Sequence, residues 1–266
     1  MRNGELRPAA SSRGKDDAMD DIILKAVERA IETMRSNLGD KLTIDDLARS
    51  AMFSKFHFSR VFLKVTGVSP GRFLSAMRLD EAKRLLLSTS ITVADIGHRV
   101  GYNSVGTFSS RFRSSVGISP ITYRQLGGIA PRIPVDNRIV TDGGSTSLRG
   151  HIHGTQSEDL GSVFVGMFPS RVPEGAPARY TVLAAPGPYQ LHDVPAGTWY
   201  LTAHAVGSTP EGGELRYVGS YGPFTTQSDT AARLVDVQLR RTRSLDPPLL
   251  LALPDLRANT ALDLAG

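Results

Sequence analysis

The 266-residue sequence contains no cysteine and a single tryptophan. Without cysteine there is no disulfide framework and no thiolate chemistry. No apolar run approaches the roughly 20 residues that a membrane-spanning helix needs. Residues 1–15 lack the apolar core of a signal peptide, so the expected location is the cytoplasm. Lysine is missing from the second half: residues 128–266 hold 11 Arg and no Lys against 13 acids, whereas residues 20–127 hold 16 Lys and Arg against 10 acids. Only the front half therefore carries the positive surplus that favours a polyanion. There is also no nucleophile elbow, phosphate-binding glycine loop, zinc-protease helix or triad spacing, and an enzyme is not expected.

One block occurs twice. Thr43-Ile44-Asp45-Asp46-Leu47-Ala48 recurs as Thr92-Val93-Ala94-Asp95-Ile96-Gly97, and the copies stay in phase through Phe58/Phe108, Phe62/Phe112, Gly67/Gly117 and Ser69-Pro70/Ser119-Pro120. Each copy reads as helix, tight turn, second helix, stop. Ser54 and Ser104 are placed to cap the second helices by accepting from their free N–H groups. Phe58, Phe62 and Val65 fall on one face, repeated by Phe108, Phe112 and Val116, and that face must be core. The opposite face of the first copy carries Lys55, Phe56, Ser59, Arg60 and Lys64. That of the second carries Val105, Gly106, Ser109, Ser110 and Arg113, small residues that let a helix backbone approach bases closely but offer fewer specific hydrogen bonds. Gly67 and Gly117 suit left-handed helix ends, and the Ser-Pro after each blocks continuation. A helical pattern from about Arg72 to Leu87 joins the copies. Two helix-turn-helix units so joined can lay two helices into successive major grooves.

These residues resemble the DNA-binding domain of the AraC/XylS family of bacterial transcription regulators. The likeness runs over about 105 residues, through Ala48–Ser54, Phe58–Lys64, Thr66–Pro70, Arg78–Leu86, Ile96–Tyr102 and Phe108–Phe112 to Gly117, Pro120 and Tyr123-Arg124. The family usually has Ala where Gly97 stands, and usually places this domain at the C-terminus. The resemblance implies base-facing positions at Phe56, Ser59 and Arg60 in the first copy and at Val105, Gly106, Ser109 and Ser110 in the second. With the caps Ser54 and Ser104 and the cations Lys55, Lys64 and Arg113, these make up the expected DNA-binding set.

The expected organisation is a multidomain α plus β chain: a disordered tail (1–16), an all-α tandem helix-turn-helix domain (17–127), a Gly- and Pro-rich linker (128–147), an antiparallel β-sandwich (148–256) and a second tail (257–266). A first helix from about Ala18 to Asn37 turns Ile23, Ala26, Val27, Ala30, Ile31 and Met34 inward. Beyond residue 147 the apolar period becomes two, with strands expected at Leu148–His153, Ser162–Phe168, Ala178–Ala184, Tyr189–Val194, Gly197–Val206, Tyr217–Phe224 and Arg233–Arg241. This region resembles the transthyretin-like or carboxypeptidase-regulatory-like sandwiches. The apolar tail from Pro247 to Pro254 is expected to pack on the sandwich or on a partner.

His151 and His153 alternate on one strand and so share a face, as a metal pair requires, with His192 and His204 as third ligands only if folding brings them near. An ordinary exposed strand face is the better-supported reading, and no metal or cofactor is assigned. Trp199 is expected in the core, with Tyr200, Tyr217 and Tyr221 as candidate cleft residues. The function expected is sequence-specific regulation of transcription on double-stranded DNA, with RNA polymerase a further candidate partner and no membrane. The sandwich either senses a small-molecule effector or, as the alternative, serves dimerisation or partner recruitment without one.

Overall fold

Two apolar periodicities divide the chain, and a computed structural model gives each its own architecture. It describes residues 13–133, 146–155, 160–208, 213–227 and 233–256. Residues 1–12, 134–145 and 257–266 lie outside the described residues, and with them most of the expected tails and linker.

Among the described residues the first half is helical: α1 (Arg13–Ser36), α2 (Ile44–Ser50), α3 (Lys55–Thr66), α4 (Pro70–Ser88), α5 (Val93–Arg99), α6 (Val105–Val116) and α7 (Pro120–Gln125). Helix α1 begins at Arg13, ahead of the Ala18 start expected from its apolar face. No proline interrupts residues 13–36, and a helix nucleated by a buried stripe extends into polar sequence at little cost. Ala26, Val27, Ala30, Ile31 and Met34 are buried. The repeat is preserved in the core. The rings of Phe58, Phe62 and Phe73 lie 5.5 and 5.4 Å apart in succession, and those of Phe108, Phe112 and Tyr123 lie 5.7 and 5.6 Å apart. The Ser-Pro pairs do more than stop the preceding helix: Ser69 and Ser119 are N-cap positions with proline in the first turn of α4 and α7, where its missing N–H costs nothing.

The second half contains β1 (Leu148–His153), β2 (Leu160–Phe168), β3 (Arg179–Leu183), β4 (Pro188–Leu191), β5 (Gly197–Ser208), β6 (Glu214–Thr226), β7 (Arg233–Leu234), β8 (Val237–Gln238) and β9 (Arg240–Arg241). One sheet has the order β3-β2-β5-β6-β9, antiparallel throughout. In the other, β1 pairs antiparallel with β4 and parallel with both β7 and β8. The strand expected at Arg233–Arg241 is thus three short pieces, two of them parallel to their neighbour. The reason lies between the pieces, where the Asp236 carboxylate accepts the His151 backbone N–H at 2.8 Å in place of a carbonyl. Gly150 permits this close passage, since a Cβ there would meet the Val235 carbonyl.

Alternation then sorts the side chains. Val163, Val165 and Met167 of β2 join Leu201, Ala203 and Ala205 of β5 in a core shared with Leu148, Ile152, Tyr189, Leu191, Val235 and Val237 of the other sheet, and Trp199 is buried there. Phe164 and Phe168 point to the opposite face of the five-stranded sheet, where Leu251 and Leu256 cover them. That covering is an extended C-terminal strap. Leu250 and Ala252 pack into the helical core, while Leu249, Leu251 and Leu253 pack against the sheet. The expected apolar tail therefore packs on both halves at once. The linker's beginning is drawn in as well, with Ala130 buried and its N–H donating to the Leu253 carbonyl.

Lys83 of α4 is caught in this contact. Its ammonium donates to the Leu249 carbonyl at 2.9 Å and lies 5.9 Å from the centroid of the Tyr123 ring. Burial pulls its pKa down from 10.5 to about 8, against the attraction of Asp80. The charged form is therefore destabilised by folding, fully below pH 8 and less and less as pH rises from about 8 towards 10.5. Lys83→Met keeps the apolar stem and removes the charge. It is expected to be more stable than the parent at pH 7, with the advantage shrinking across that window, as urea unfolding at pH 7 and pH 10 will measure.

Candidate nucleic-acid interface

Each helix pair is fixed from its caps outward. Thr43 accepts from the Asp46 N–H while the Asp46 carboxylate accepts from the Thr43 N–H, a reciprocal capping box at the start of α2. The Thr43 hydroxyl and backbone N–H together hold the Asp46 carboxyl below its ordinary range. Thr92 caps α5 by accepting from the Asp95 N–H, and its hydroxyl donates to the Asp95 carboxylate. Ser54 accepts from the His57 N–H and Ser104 from the Thr107 N–H, so both expected caps are formed. Left-handed Gly67 (φ 71°) and Gly117 (φ 92°) end α3 and α6. Gly97 has a packing role: the Phe108 ring lies over it so closely that a Cβ would come within 3.1 Å.

The outer faces of α3 and α6 are then presented to solvent. On α3, Phe56 is 86% exposed, and Arg60 and Lys64 are exposed too. The Arg60 guanidinium makes no hydrogen bond or ion pair among the described residues. Lys55 pairs with Asp45 at 3.2 Å, and half-buried Ser59 donates to the Lys55 carbonyl, so these two are partly engaged by their own unit. On α6, Val105, Gly106, Ser110 and Arg113 are exposed and Ser109 is half-buried. A Cβ at Gly106 would meet nothing within 4 Å, so the first turn of α6 offers bare backbone. The expected set divides accordingly into an α3 face with free donors and a nearly smooth α6 face. Met52, left-handed at φ 61° in the turn before α3, is 81% exposed and extends the first face.

The spacing of the two units is held by contacts invisible in the local sequence. Arg78 of α4 donates to the carbonyls of Leu38 and Asp40, and Arg124 of α7 donates to those of Leu86 and Ile91. The loop between β2 and β3 adds a brace. Glu174 accepts from Arg72 at the start of α4 (2.9 Å) and from Arg111 (2.9 Å) and Ser115 (3.0 Å) of α6. Arg171 of the same loop packs against Gly67 at the end of α3. Arg111 is thereby spent on the brace, and Arg113 is the α6 cation left facing solvent. Repetition and periodicity give no signal for a partner 59 to 102 residues away.

His151 and His153 share a face as expected, with ring centroids 4.7 Å apart, and an Asp236 carboxylate oxygen lies 3.8 Å from the His153 ring nitrogen. His204 does not join them, because its strand β5 belongs to the other sheet. No group of three or more metal-ligating side chains occurs among the described residues. Among the candidate cleft residues, Tyr217 is buried in the core between the sheets and Tyr221 is exposed.

The match to a known family falls in the helical half. A helix-turn-helix domain family matches residues 47–126. The HTH-type transcriptional activator AarP of Providencia stuartii is 35% identical over 91 residues, 34% of this chain and 67% of that protein. The lactose operon transcription activator of Staphylococcus xylosus is 32% identical over 104 residues, 39% of this chain and 37% of its own length. This chain thus spans two thirds of the first relative and little more than a third of the second. A solved regulator with an AraC-type DNA-binding domain from Chromobacterium violaceum is 29% identical and aligns over 39% of this chain and 93% of its own, with a TM-score of 0.38.

Glu174→Ala leaves the buried Ser115 hydroxyl and two arginines without their shared acceptor. The arginines are half exposed and count for little, so the cost comes mainly from Ser115 and is expected at about 1–3 kcal/mol. Urea unfolding of the full chain measures it, and a loss of only a few tenths would mean that Glu174 braces nothing.

Proposed function

Because the chain belongs to the AraC-type helix-turn-helix transcription regulators, whose matched members are named as regulators and not as enzymes, we propose that it binds specific DNA sequences through α3 and α6 and controls transcription there. The observation that carries this reading is the pair of capped helices whose outer faces are open to solvent while their inner faces build one core. In it, α3 enters one major groove and reads with Arg60, Ser59 and Phe56. A guanidinium matches the two acceptors of a guanine edge, and an exposed ring suits a thymine methyl. Lys55, Lys64 and Arg113 serve the phosphates. Helix α6, with Val105, Gly106, Ser109 and Ser110, lies in the next groove and fits it closely while discriminating little. Ser54 and Ser104 orient the two helix starts.

The β-rich half is read as a sandwich of the transthyretin-like kind that reports a small molecule to the helices. Its packing favours this over the alternative of dimerisation or partner recruitment without an effector. The apolar outer face of the five-stranded sheet is covered by the chain's own strap, and β1 of the other sheet exposes Arg149, His151 and His153, not an apolar patch.

Arg60→Ala is expected to weaken binding to a selected DNA site by about 1–3 kcal/mol and to relax preference at one base pair. Equal weakening on every sequence, with a shallower salt dependence, would make Arg60 a phosphate contact only. The 19 residues of α4 span roughly 28 Å at 1.5 Å per residue, and successive major grooves on one face lie about 34 Å apart. The full chain should therefore protect about two turns of DNA, with modest bending to admit both helices. Hydroxyl-radical footprinting checks this, and protection of a single groove would reduce α6 to scaffold.

A further inference from the structure

A cavity of about 570 Å³ lies where α4 and α7 face the outer side of the five-stranded sheet and the C-terminal strap. We infer that this cavity is the binding site of a small organic monocarboxylate, with the carboxylate on Lys83 and the apolar body along Leu87, Met77 and Leu249. The inference rests on the sensor reading above but moves the ligand out of the interior of the β-rich half to its boundary with the helices.

Its size falls within the range of small-molecule pockets, and the junction of two architectural halves is where such pockets concentrate. The lining carries both signs of charge, Arg35, Lys83, Arg216 and Arg243 with five acids, but the Lys83 ammonium touches none of those carboxylates. Lys83 donates to the Leu249 carbonyl, and no carboxylate pairs with it among the described residues, so two of its three donors have no acceptor there. His204 of β5 lines the same cavity, with Arg216 of β6 at its rim. Of the acids that line the cavity, Glu81 pairs with Arg84, Glu214 with Arg216 and Asp246 with Arg240, and Asp255 on the strap is engaged as well. Asp80 lies one turn from Lys83 and forms no ion pair among the described residues, so it acts on Lys83 only at longer range.

The consequences are visible in the titrating groups. His204 is pushed down to about 4 by burial first and by the Lys83 charge next, as Lys83 itself is depressed by burial. Desolvated cations are normally paired, and one carboxylate at Lys83 would supply the missing charge. A dianion would need more donors than the one ammonium offers, whereas the apolar walls suit an alkyl or aryl body. Occupancy would also be felt by the helices. Lys83 sits on the helix that joins the two units, Tyr123 on α7, and Leu249 on the strap that reaches both cores. A carboxylate competing with the Leu249 carbonyl for Lys83 thus acts where the two halves meet, as a differential contact must if it is to shift their equilibrium.

The test uses the full chain and a series of monocarboxylates from acetate to decanoate, with phenylacetate, each compared with its uncharged amide, and inorganic phosphate as the anion control. At least one carboxylate of intermediate length is expected to raise the Tm and to protect Lys83 from trinitrobenzenesulfonate at pH 8, read by mass spectrometry, while its amide and phosphate do neither. Lys83→Met is expected to keep a cooperative melt and lose the carboxylate shift, and Lys83→Arg to retain at least part of it. Equal shifts by acid and amide, protection by phosphate, an undiminished shift in Lys83→Met, or no response across the series would each overturn the assignment. A carboxylate bound at Lys83 that leaves affinity for selected DNA unchanged would support the site and sink the sensor reading instead.

Discussion

A single extended strap, Leu249 to Leu253, holds the architecture together by alternation. Successive side chains of an extended chain point to opposite sides, so Leu250 and Ala252 complete the helical core while Leu249, Leu251 and Leu253 cover the second face of the five-stranded sheet. Its backbone is held as well, since the Ala252 N–H donates to the Val116 carbonyl at the end of α6 and the Leu250 N–H to that of Pro173. Remove the strap and two apolar faces are opened at once. The helical half thus shares its core with residues from the far end of the described chain.

The loop carrying Glu174 and Arg171 works beside the strap. It touches the end of α3 at Gly67, the start of α4 at Arg72 and the back of α6 at Arg111 and Ser115. These are the elements whose relative placement sets the distance between the two solvent-facing helices. An ion pair at the surface contributes little by itself. This one is anchored by a buried serine hydroxyl, and its value lies in geometry: one carboxylate fixes three groups from two helices.

The two presented faces differ in chemistry. Helix α3 carries a free guanidinium, an exposed ring and two lysines, whereas α6 carries small residues around one exposed arginine. Under the proposed function this asymmetry would leave hydrogen-bonded base reading to α3 and close fit to α6.

The sequence by itself determined the local order of the helical half. Two phased copies of Thr-x-x-Asp, Ser caps, Phe pairs and terminal glycines specify helix starts, stops and buried faces, because capping and 3.6-residue periodicity act within a few residues. The solvent-facing positions of α3 and α6 were readable for the same reason, as the complement of that buried face, and alternation placed most of the strands. Tertiary structure alone decided the rest. That β2 is buried on both faces, that Arg233–Arg241 breaks into three pieces around Asp236, and that Arg111 is consumed by Glu174 while Arg113 is not, all follow from partners distant in the chain. The same holds for Lys83. In sequence it is one more cation on an amphipathic helix, and only the strap's carbonyl and the sheet behind it remove part of its water while no carboxylate touches it among the described residues.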